Sequence, residues 1–222
     1  MVNEAGARLS PFPVDAFRRI DETSDAHFYE MPRFVTHIDD EAIGAVTQLY
    51  REYFEPDSVI LDLMSSWISH LPPEIAYSRV AGLGMNEEEL QANERLDDWT
   101  VHDLNRIPLL PYEDGEFDGA AICVSVDYLA QPALVLREIG RILNTGGPLV
   151  MTFSNRCFPT KIVNIWRSLD DTGHMALVEQ YMHDAGNWDQ IVSLDRSPNP
   201  DGTDPLFAVI GRSKGLASHG QT

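Results

Sequence analysis

Residues 59–70 read VILDLMSSWISH, and this stretch decides the fold of the chain. It begins as a continuous run of mostly branched apolar residues, which is the pattern of a strand buried on both faces of a parallel sheet. Asp62 lies near the predicted end of that strand, and a tight turn of small polar residues follows. In α/β proteins, a strand that ends in this way is where nucleotide-like cofactors bind. Because the turn contains no glycine, its ability to hold a cofactor is the main functional question.

Strands and helices alternate along the rest of the chain. Apolar runs predict further strands, and helical spacing with suitable caps predicts the helices between them. The predicted strands cover residues 79–84, 98–102, 117–125 and 148–153. The predicted helices cover residues 41–54, 70–77, 87–93 and 132–143, with one or two more in 155–183. Two final strands, 189–194 and 206–211, are joined by a turn-rich loop and are therefore predicted to pair antiparallel.

This element order predicts an α/β fold. The count gives a doubly wound, seven-stranded, mostly parallel sheet that ends in a C-terminal antiparallel hairpin. We predict an N-terminal arm and helical cap over residues 1–56, the α/β domain over 57–212, and a loose tail over 213–222. Ligand-bearing loops are expected at the carboxyl ends of the parallel strands.

The composition describes a globular domain with a strongly acidic surface. The chain has 222 residues, 43% of them hydrophobic, and 35 Asp and Glu against 16 Lys and Arg give a formal net charge of −19. Because such a surface repels phosphate backbones and anionic membranes, we expect neither nucleic acid nor a membrane as a partner.

The cysteines and the N-terminus favour a reducing, cytoplasm-like compartment. Cys123 falls in a predicted strand and Cys157 in a loop, so no disulfide is expected. The first residues lack a basic region followed by an apolar core, and no apolar run approaches the roughly 20 residues of a membrane span. We therefore predict neither a signal peptide nor a transmembrane helix. The histidines and cysteines show no recurring ligand spacing, so no metal site is predicted.

Several landmarks occur in a characteristic order: VILDL, VAGLGMNEEEL, VHDLNRIPL, YEDGEFDGAAICVSVDYL, ALVLREIGRIL and NTGGPLVMTFSN. Over residues 57–212 this order resembles the class I S-adenosylmethionine-dependent methyltransferases, especially the type 11 methyltransferase domain. The stretch from GEFD to NTGG carries the most specific part of the resemblance. The resemblance implies a Rossmann-like sheet with the seventh strand inserted antiparallel between the fifth and sixth, S-adenosyl-L-methionine as cofactor, and methyl transfer to a small molecule.

The resemblance also implies which residues contact the cofactor, and the glycine motif is degenerate there. Asp62 matches the acid that ends the first strand, whereas Met64, Ser66 and Ile68 occupy the usual glycine positions, and Ser65 adds a hydroxyl beside the backbone amides. A side chain in a left-handed turn costs about 1–2 kcal/mol.

The second strand departs from the family pattern in the same region. Gly84 replaces the acid that holds the ribose, and Asn86 is the nearest polar substitute. Losing such a charged hydrogen bond costs about 1.5–3 kcal/mol, so the two departures together predict a cofactor affinity lower by roughly two to three decades. The adenine stretch survives as Asp103, Leu104 and Asn105, and Ser125 falls on the methyl-transfer side.

Two further segments are candidate substrate contacts. The aromatic leader, residues 21–38, contains Tyr29, Arg33 and His37, which either cover the cofactor and substrate or pack as ordinary surface residues. After the fifth strand, Asn155 and Arg156, with Lys161 nearby, either bind an anionic substrate or neutralise neighbouring acids. Trp67 packs either on the core or on the cofactor.

Three functions are compatible with these residues. The first is an S-adenosylmethionine-dependent methyltransferase acting on a small molecule. The second is a catalytically inactive relative kept as a binding or scaffolding protein. The third is another nucleotide-using enzyme on the same sheet, because a fold does not fix a chemistry. No catalytic residue and no oligomeric state are assigned.

Overall fold

A seven-stranded sheet forms the centre of the computed structural model, which describes residues 12–199 and 202–215. The strand order is β3-β2-β1-β4-β5-β7-β6, and β7 runs antiparallel to both of its neighbours while β1 to β5 pair in parallel. The strands are β1 (Val59–Ser65), β2 (Arg79–Gly84), β3 (Asp98–Val101), β4 (Gly119–Cys123), β5 (Pro148–Phe153), β6 (Trp188–Asp195) and β7 (Phe207–Ser213). The predicted doubly wound sheet and its inserted seventh strand are confirmed.

Helices cover both faces of the sheet. They are α1 (Asp25–Phe28), α2 (Asp40–Tyr53), α3 (Glu87–Ala92), α4 (Pro132–Ile142), α5 (Asn164–Arg167) and α6 (Asp171–Ala185), with one 3-10 turn, Val126–Tyr128, after β4. Buried residues of α4 and α6 join one apolar cluster, and those of α2 join a second. Successive β1 residues alternate between them: Leu61 and Leu63 belong to the first cluster and Ile60 to the second. The strand is therefore buried on both faces, as its apolar run predicts.

Local signals in the sequence account for most element boundaries. Asp39 accepts a hydrogen bond from the Ala42 amide and caps α2, and Asn86 caps α3 in the same way through the Glu89 amide. In α4, Leu136, Ile139 and Ile142 are buried, whereas Leu134 is 45% exposed. The short helix α1 in the leader was not predicted, and β7 extends to Ser213, into the segment predicted as a tail. Residues 216–222 of that tail lie outside the described residues.

The helix predicted over residues 70–77 does not form. Residues 66–78 between β1 and β2 are irregular, and side chains that follow α3 take up their carbonyl groups. Arg95 Nη2 donates to the carbonyl oxygens of Pro72 and Ile75 at 3.0 and 2.6 Å, and Asn93 Nδ2 donates to that of Ser66 at 2.9 Å. Because Pro72 and Pro73 also lack amide donors, tertiary bonds replace the helix here.

The pairing of the first two strands changes at their carboxyl ends. The pairing of β1 with β2 shifts register between Leu63 and Ser65, and Ser65 then pairs with Gly84. A Cβ atom built on Gly84 would lie 2.2 Å from the carbonyl oxygen of Ser65. Glycine is therefore required at this position by the backbone of β1, and no acidic side chain can replace it without moving a strand.

Within the part of the chain that the structure describes, no helix is long and apolar enough to cross a membrane. Both cysteines are free thiols. The described residues contain no group of three or more His, Cys, Asp or Glu side chains that could hold a metal ion.

The contact at Gly84 predicts that glycine-to-alanine substitutions at two positions have opposite effects on stability. Gly84→Ala should lower the free energy of unfolding by about 1–3 kcal/mol, because the new methyl group overlaps the Ser65 carbonyl. The matched control is Gly44→Ala in α2, where a Cβ meets nothing within 4 Å. That change should raise stability by about 0.5–1 kcal/mol, since glycine is a poor helix former. Urea unfolding of both variants checks this, and equal stabilities would contradict the packing described for Gly84.

Candidate functional site

A cavity of about 310 Å³ lies at the carboxyl edge of the sheet, where β1, β2 and β4 end. The leader and the loop after β5 form its other walls. Fourteen of the fifteen candidate site residues named from the sequence line it: Tyr29, Arg33, His37, Asp62, Met64, Ser65, Ser66, Gly84, Asn86, Asp103, Leu104, Asn105, Ser125 and Arg156. Asn155 does not; its side chain is exposed in the loop after β5.

The turn after β1 keeps the backbone form that a glycine would adopt. Met64 has φ +54°, in the left-handed region that a non-glycine residue occupies at a cost of about 1–2 kcal/mol. The Met64 side chain is half-buried against the larger apolar cluster. Met64 therefore adopts the left-handed backbone conformation that the missing glycine would take at this position.

Asp62 holds the turn together from inside. Its Oδ2 accepts hydrogen bonds from Ser65 Oγ at 2.6 Å and from Ser69 Oγ at 2.5 Å. Burial raises the pKa of Asp62 to about 6, although the two serine hydroxyls act in the opposite direction. The carboxyl group is 7% exposed and braces residues 65–69 at the cavity wall.

Asn86 lines the cavity, but both ends of its amide are already used. Its Oδ1 accepts from the Glu89 amide at 3.0 Å, and its Nδ2 donates to the carbonyl oxygens of Tyr29 and Glu30 at 2.9 and 3.2 Å. Asn86 therefore caps a helix and holds the leader, and it has no free donor for a ribose.

Glu89 brings an acid to the region where Gly84 leaves none. Its side chain is 6% exposed and lines the cavity. Oε2 accepts from Ser66 Oγ and Oε1 from the Arg33 amide, both at 2.6 Å. The sequence interpretation missed this residue. Glu89 is one of three consecutive acids, residues 87–89, and no local pattern indicated that this one lines the cavity.

Asp103 keeps an oxygen available at the edge of the cavity. Its Oδ1 accepts from the amides of Asn105 and Arg106 at 3.0 and 3.2 Å, whereas none of the described residues donates to Oδ2. Asn105 is fully engaged, because its amide nitrogen donates to Asp25 Oδ2 and the Tyr128 carbonyl and its oxygen accepts from Ala130. Asp103 is thus the acceptor of this pair that a ligand can reach.

The leader is held over the cavity by hydrogen bonds with three residues, Asn86, Glu89 and Trp67. Asn86 binds the Tyr29 carbonyl and Glu89 binds the Arg33 amide, as described above. In addition, Trp67 Nε1 donates to the Val35 carbonyl at 3.0 Å. The Trp67 ring lies edge-on to Phe34 with centroids 6.3 Å apart. Trp67 therefore packs on the leader, half-exposed, and not in the core.

Two histidines line the cavity without a hydrogen bond from the described part of the chain. Burial lowers the pKa of His37, and it lowers that of His70 to about 4, with a smaller contribution from His37. Both imidazoles are therefore neutral at pH 7 and can accept a proton. His70 was missed as a site residue because the sequence indicated a helix at that position.

The base of the leader is anchored by buried charges. Asp25 accepts two hydrogen bonds from Arg19 at 2.7 and 2.8 Å and lies 3.2 Å from Lys161 Nζ. Lys161 is 1% exposed and also pairs with Asp21. It fixes the loop after β5 to the leader, so it is not available to a substrate as the sequence had suggested.

The sheet order and this cavity define a Rossmann-like domain of the class I methyltransferase type, with its ligand edge at the ends of β1, β2 and β4. A family model described as a methyltransferase domain matches residues 64–151, which is less than half of the chain. No curated protein sequence matches the chain.

Solved structures share this fold at low sequence identity. The putative methyltransferase in complex with the Trm112 activator from Haloferax volcanii has a TM-score of 0.59 and 18% identity, over 81% of this chain and 92% of its own. A S-adenosylmethionine-dependent methyltransferase from Mesorhizobium loti has a TM-score of 0.53 and 14% identity, over 76% and 97%. The [4+2]-cyclase SpnF has a TM-score of 0.55 and 16% identity, over 77% and 81%.

These findings show that residues 64–151 match a methyltransferase domain and that the chain shares its fold with S-adenosylmethionine-dependent methyltransferases. The likeness describes the fold and leaves the reaction open. Because a cyclase shares the fold, the reaction has to be inferred from the cavity itself.

The buried carboxyl group of Asp62 predicts a pH-dependent stability. Since its folded-state pKa of about 6 lies above its ordinary value of 3.8, its favourable contribution is complete below pH 4 and is lost as pH rises through 6. The loss is on the order of 3 kcal/mol. Asp62→Asn should therefore gain stability relative to the wild type as pH rises from 4 to 7.5, measured by urea unfolding. Asp189→Asn, an exposed position on β6, is the control. A stability difference that is the same at every pH would contradict this assignment.

Proposed function

We propose that this protein is a methyltransferase that uses S-adenosylmethionine and acts on a small molecule. The observation that carries the proposal is the combination at one cavity of a left-handed turn after β1, a reachable Asp103 oxygen and the buried acid Glu89. The cavity is enclosed by the leader and has the size of small-molecule pockets, which favours a small methyl acceptor.

The residues present fit the adenosine part of this cofactor. Asp103 Oδ2 can accept from an adenine amino group, and Leu104 and Leu129 supply apolar surface beside it. Glu89 can accept from ribose hydroxyl groups, since each carboxylate oxygen has a second lone pair besides the one used by Ser66 or Arg33. Glu89 thereby takes the role that the resemblance gives to the position of Gly84.

When bound, S-adenosylmethionine supplies an electrophilic methyl group on a sulfonium sulfur. This chain would orient the acceptor against that group and accept the proton that an acceptor O–H or N–H loses. His37 lines the cavity and is neutral, so its imidazole can take that proton, whereas the pKa of about 4 makes His70 the weaker base. The leader would exclude water from the cavity during transfer.

Calorimetric titration with S-adenosylmethionine and S-adenosylhomocysteine tests the proposal. We expect saturable binding, and Asp103→Ala and Glu89→Gln should each weaken it by about 10- to 100-fold, because each removes a charged hydrogen-bond acceptor. Glu89→Gln should also reduce the difference in affinity between adenosine and 2′,3′-dideoxyadenosine, since that difference reports on the ribose hydroxyls. Glu88→Gln, an exposed neighbour in α3, is the matched control and should leave both values unchanged.

The second candidate is a non-catalytic binding or scaffolding protein. Two observations favour it. Asp62 and Asn86 already form hydrogen bonds with protein groups, and residues 66–78 form no helix after β1. No binding of either cofactor form at millimolar concentration would select this candidate and exclude the methyltransferase. Unchanged affinity in both Asp103→Ala and Glu89→Gln would show that the cofactor lies elsewhere.

A further inference from the structure

The guanidinium group of Arg33 lies among three aromatic rings at the cavity wall. Its Cζ atom is 4.5 Å from the centroid of Phe28, 5.5 Å from that of Tyr29 and 5.4 Å from that of Phe158. Phe28 and Tyr29 belong to the leader and Phe158 to the loop after β5, so two separate segments enclose the cation. Rings packed around a guanidinium restrict its orientation and attract its charge.

No carboxylate neutralises this cation among the described residues. Arg33 Nη2 donates to the Phe28 carbonyl at 2.7 Å, and Nη1 reaches the Met31 carbonyl at 3.5 Å. Arg33 forms no ion pair within 4.0 Å in that part of the chain, and Glu89 accepts from its backbone amide only.

The other cations near the cavity are arranged differently. Arg156 pairs with Asp204 at 2.7 Å, and Lys161 pairs with Asp21 and Asp25 at 3.2 Å. In a chain with 35 acidic residues against 16 basic ones, an arginine that lines a cavity without an acidic partner stands out. A guanidinium has five N–H donors, and Arg33 uses two of them on the protein.

We propose that Arg33 is the receptor for a carboxylate group of a ligand in this cavity. A planar guanidinium binds a carboxylate through two parallel hydrogen bonds, and its remaining donors are suited to that geometry. The aromatic rings hold the group in place before the ligand arrives, which lowers the entropic cost of binding.

Two sources can supply this carboxylate: the cofactor or the methyl acceptor. For the cofactor, the inference rests on the proposed function. One is the methionine end of S-adenosylmethionine. Residues 66–78 form no helix after β1, so no helix N-terminus is available there to receive that anion. The other is a carboxylate on the methyl acceptor itself. Both place the same chemistry against the same side chain.

Two matched pairs of probes distinguish the sources by calorimetry. The first compares S-adenosylhomocysteine with its decarboxylated analogue. The second compares benzoate with benzamide, titrated with and without S-adenosylhomocysteine. We expect the wild type to prefer the carboxylate by at least about tenfold in one arm, which then identifies the source. Arg33→Gln should abolish that preference, and Arg33→Lys should retain part of it.

The neutral member of each pair controls for folding, because Arg33 also binds the carbonyl groups at the end of α1. Its affinity should stay unchanged in Arg33→Gln, and Arg18→Gln, which changes an exposed side chain shortly before the leader, should alter the affinity of neither member. Nitrogen-15 NMR of the arginine side chains in the wild type gives a second measurement, in which the carboxylate shifts the Arg33 Nε–H signal and its neutral partner does not.

The proposal is overturned if neither arm shows a carboxylate preference, or if the preference survives in Arg33→Gln. Benzoate selectivity without any binding of S-adenosylhomocysteine would support the Arg33 site while excluding the methyltransferase, so the two failures are separable.

Discussion

The contact of the Ser65 carbonyl oxygen with Gly84 is the constraint on which the site depends. It brings the carboxyl ends of β1 and β2 so close that no side chain fits between them, and this spacing sets one edge of the cavity. With no carboxylate possible at Gly84, the acid near the turn comes from Glu89, one helical turn into α3. The same contact follows directly after Met64, whose left-handed backbone turns the chain into the cavity wall. Backbone packing thus decides which residues can meet a ligand here.

The apolar runs and their order were sufficient to predict the sheet, because a strand buried on both faces leaves an unambiguous pattern. The same order predicts that the ten candidate residues at the ends of β1 to β4 lie together, since the ends of parallel strands meet at one edge, and all ten line the cavity. The features that the sequence did not predict depend on contacts with residues far away in the chain. The sequence predicts a helix over residues 70–77, but Arg95 and Asn93 bind carbonyl groups of the segment 66–78, which is irregular, and His70 lines the cavity. Glu89 is one of three consecutive acids, and helical periodicity alone does not indicate which of them faces a ligand.

Asn155 and Lys161 illustrate a different limit. Both are polar residues in the loop after β5, and sequence position alone gave them the same expected role. The structure exposes Asn155, whereas it buries Lys161 against Asp21 and Asp25. A buried cation requires an acidic partner, and that partner lies about 140 residues away in the chain. Such long-range charge pairing cannot be read from local pattern, because any of the 35 acidic residues could have supplied it.

The two attachments of the leader differ in chemical character, and this has a consequence for exchange of ligands. Around Asp25 the leader is held by buried ion pairs, whereas residues 29–35 are held by hydrogen bonds with Asn86, Glu89 and Trp67. Residues 29–35 can separate from the cavity wall when a few hydrogen bonds break, each worth about 1 kcal/mol or somewhat more. The ion pairs around Asp25 are not broken by this. Dissolved salt screens exposed charges but has little effect on buried pairs or on bonds to backbone carbonyls. The attachment of residues 29–35 is therefore the weaker of the two, and its strength depends on solvent competition for amides and carbonyls far more than on ionic strength.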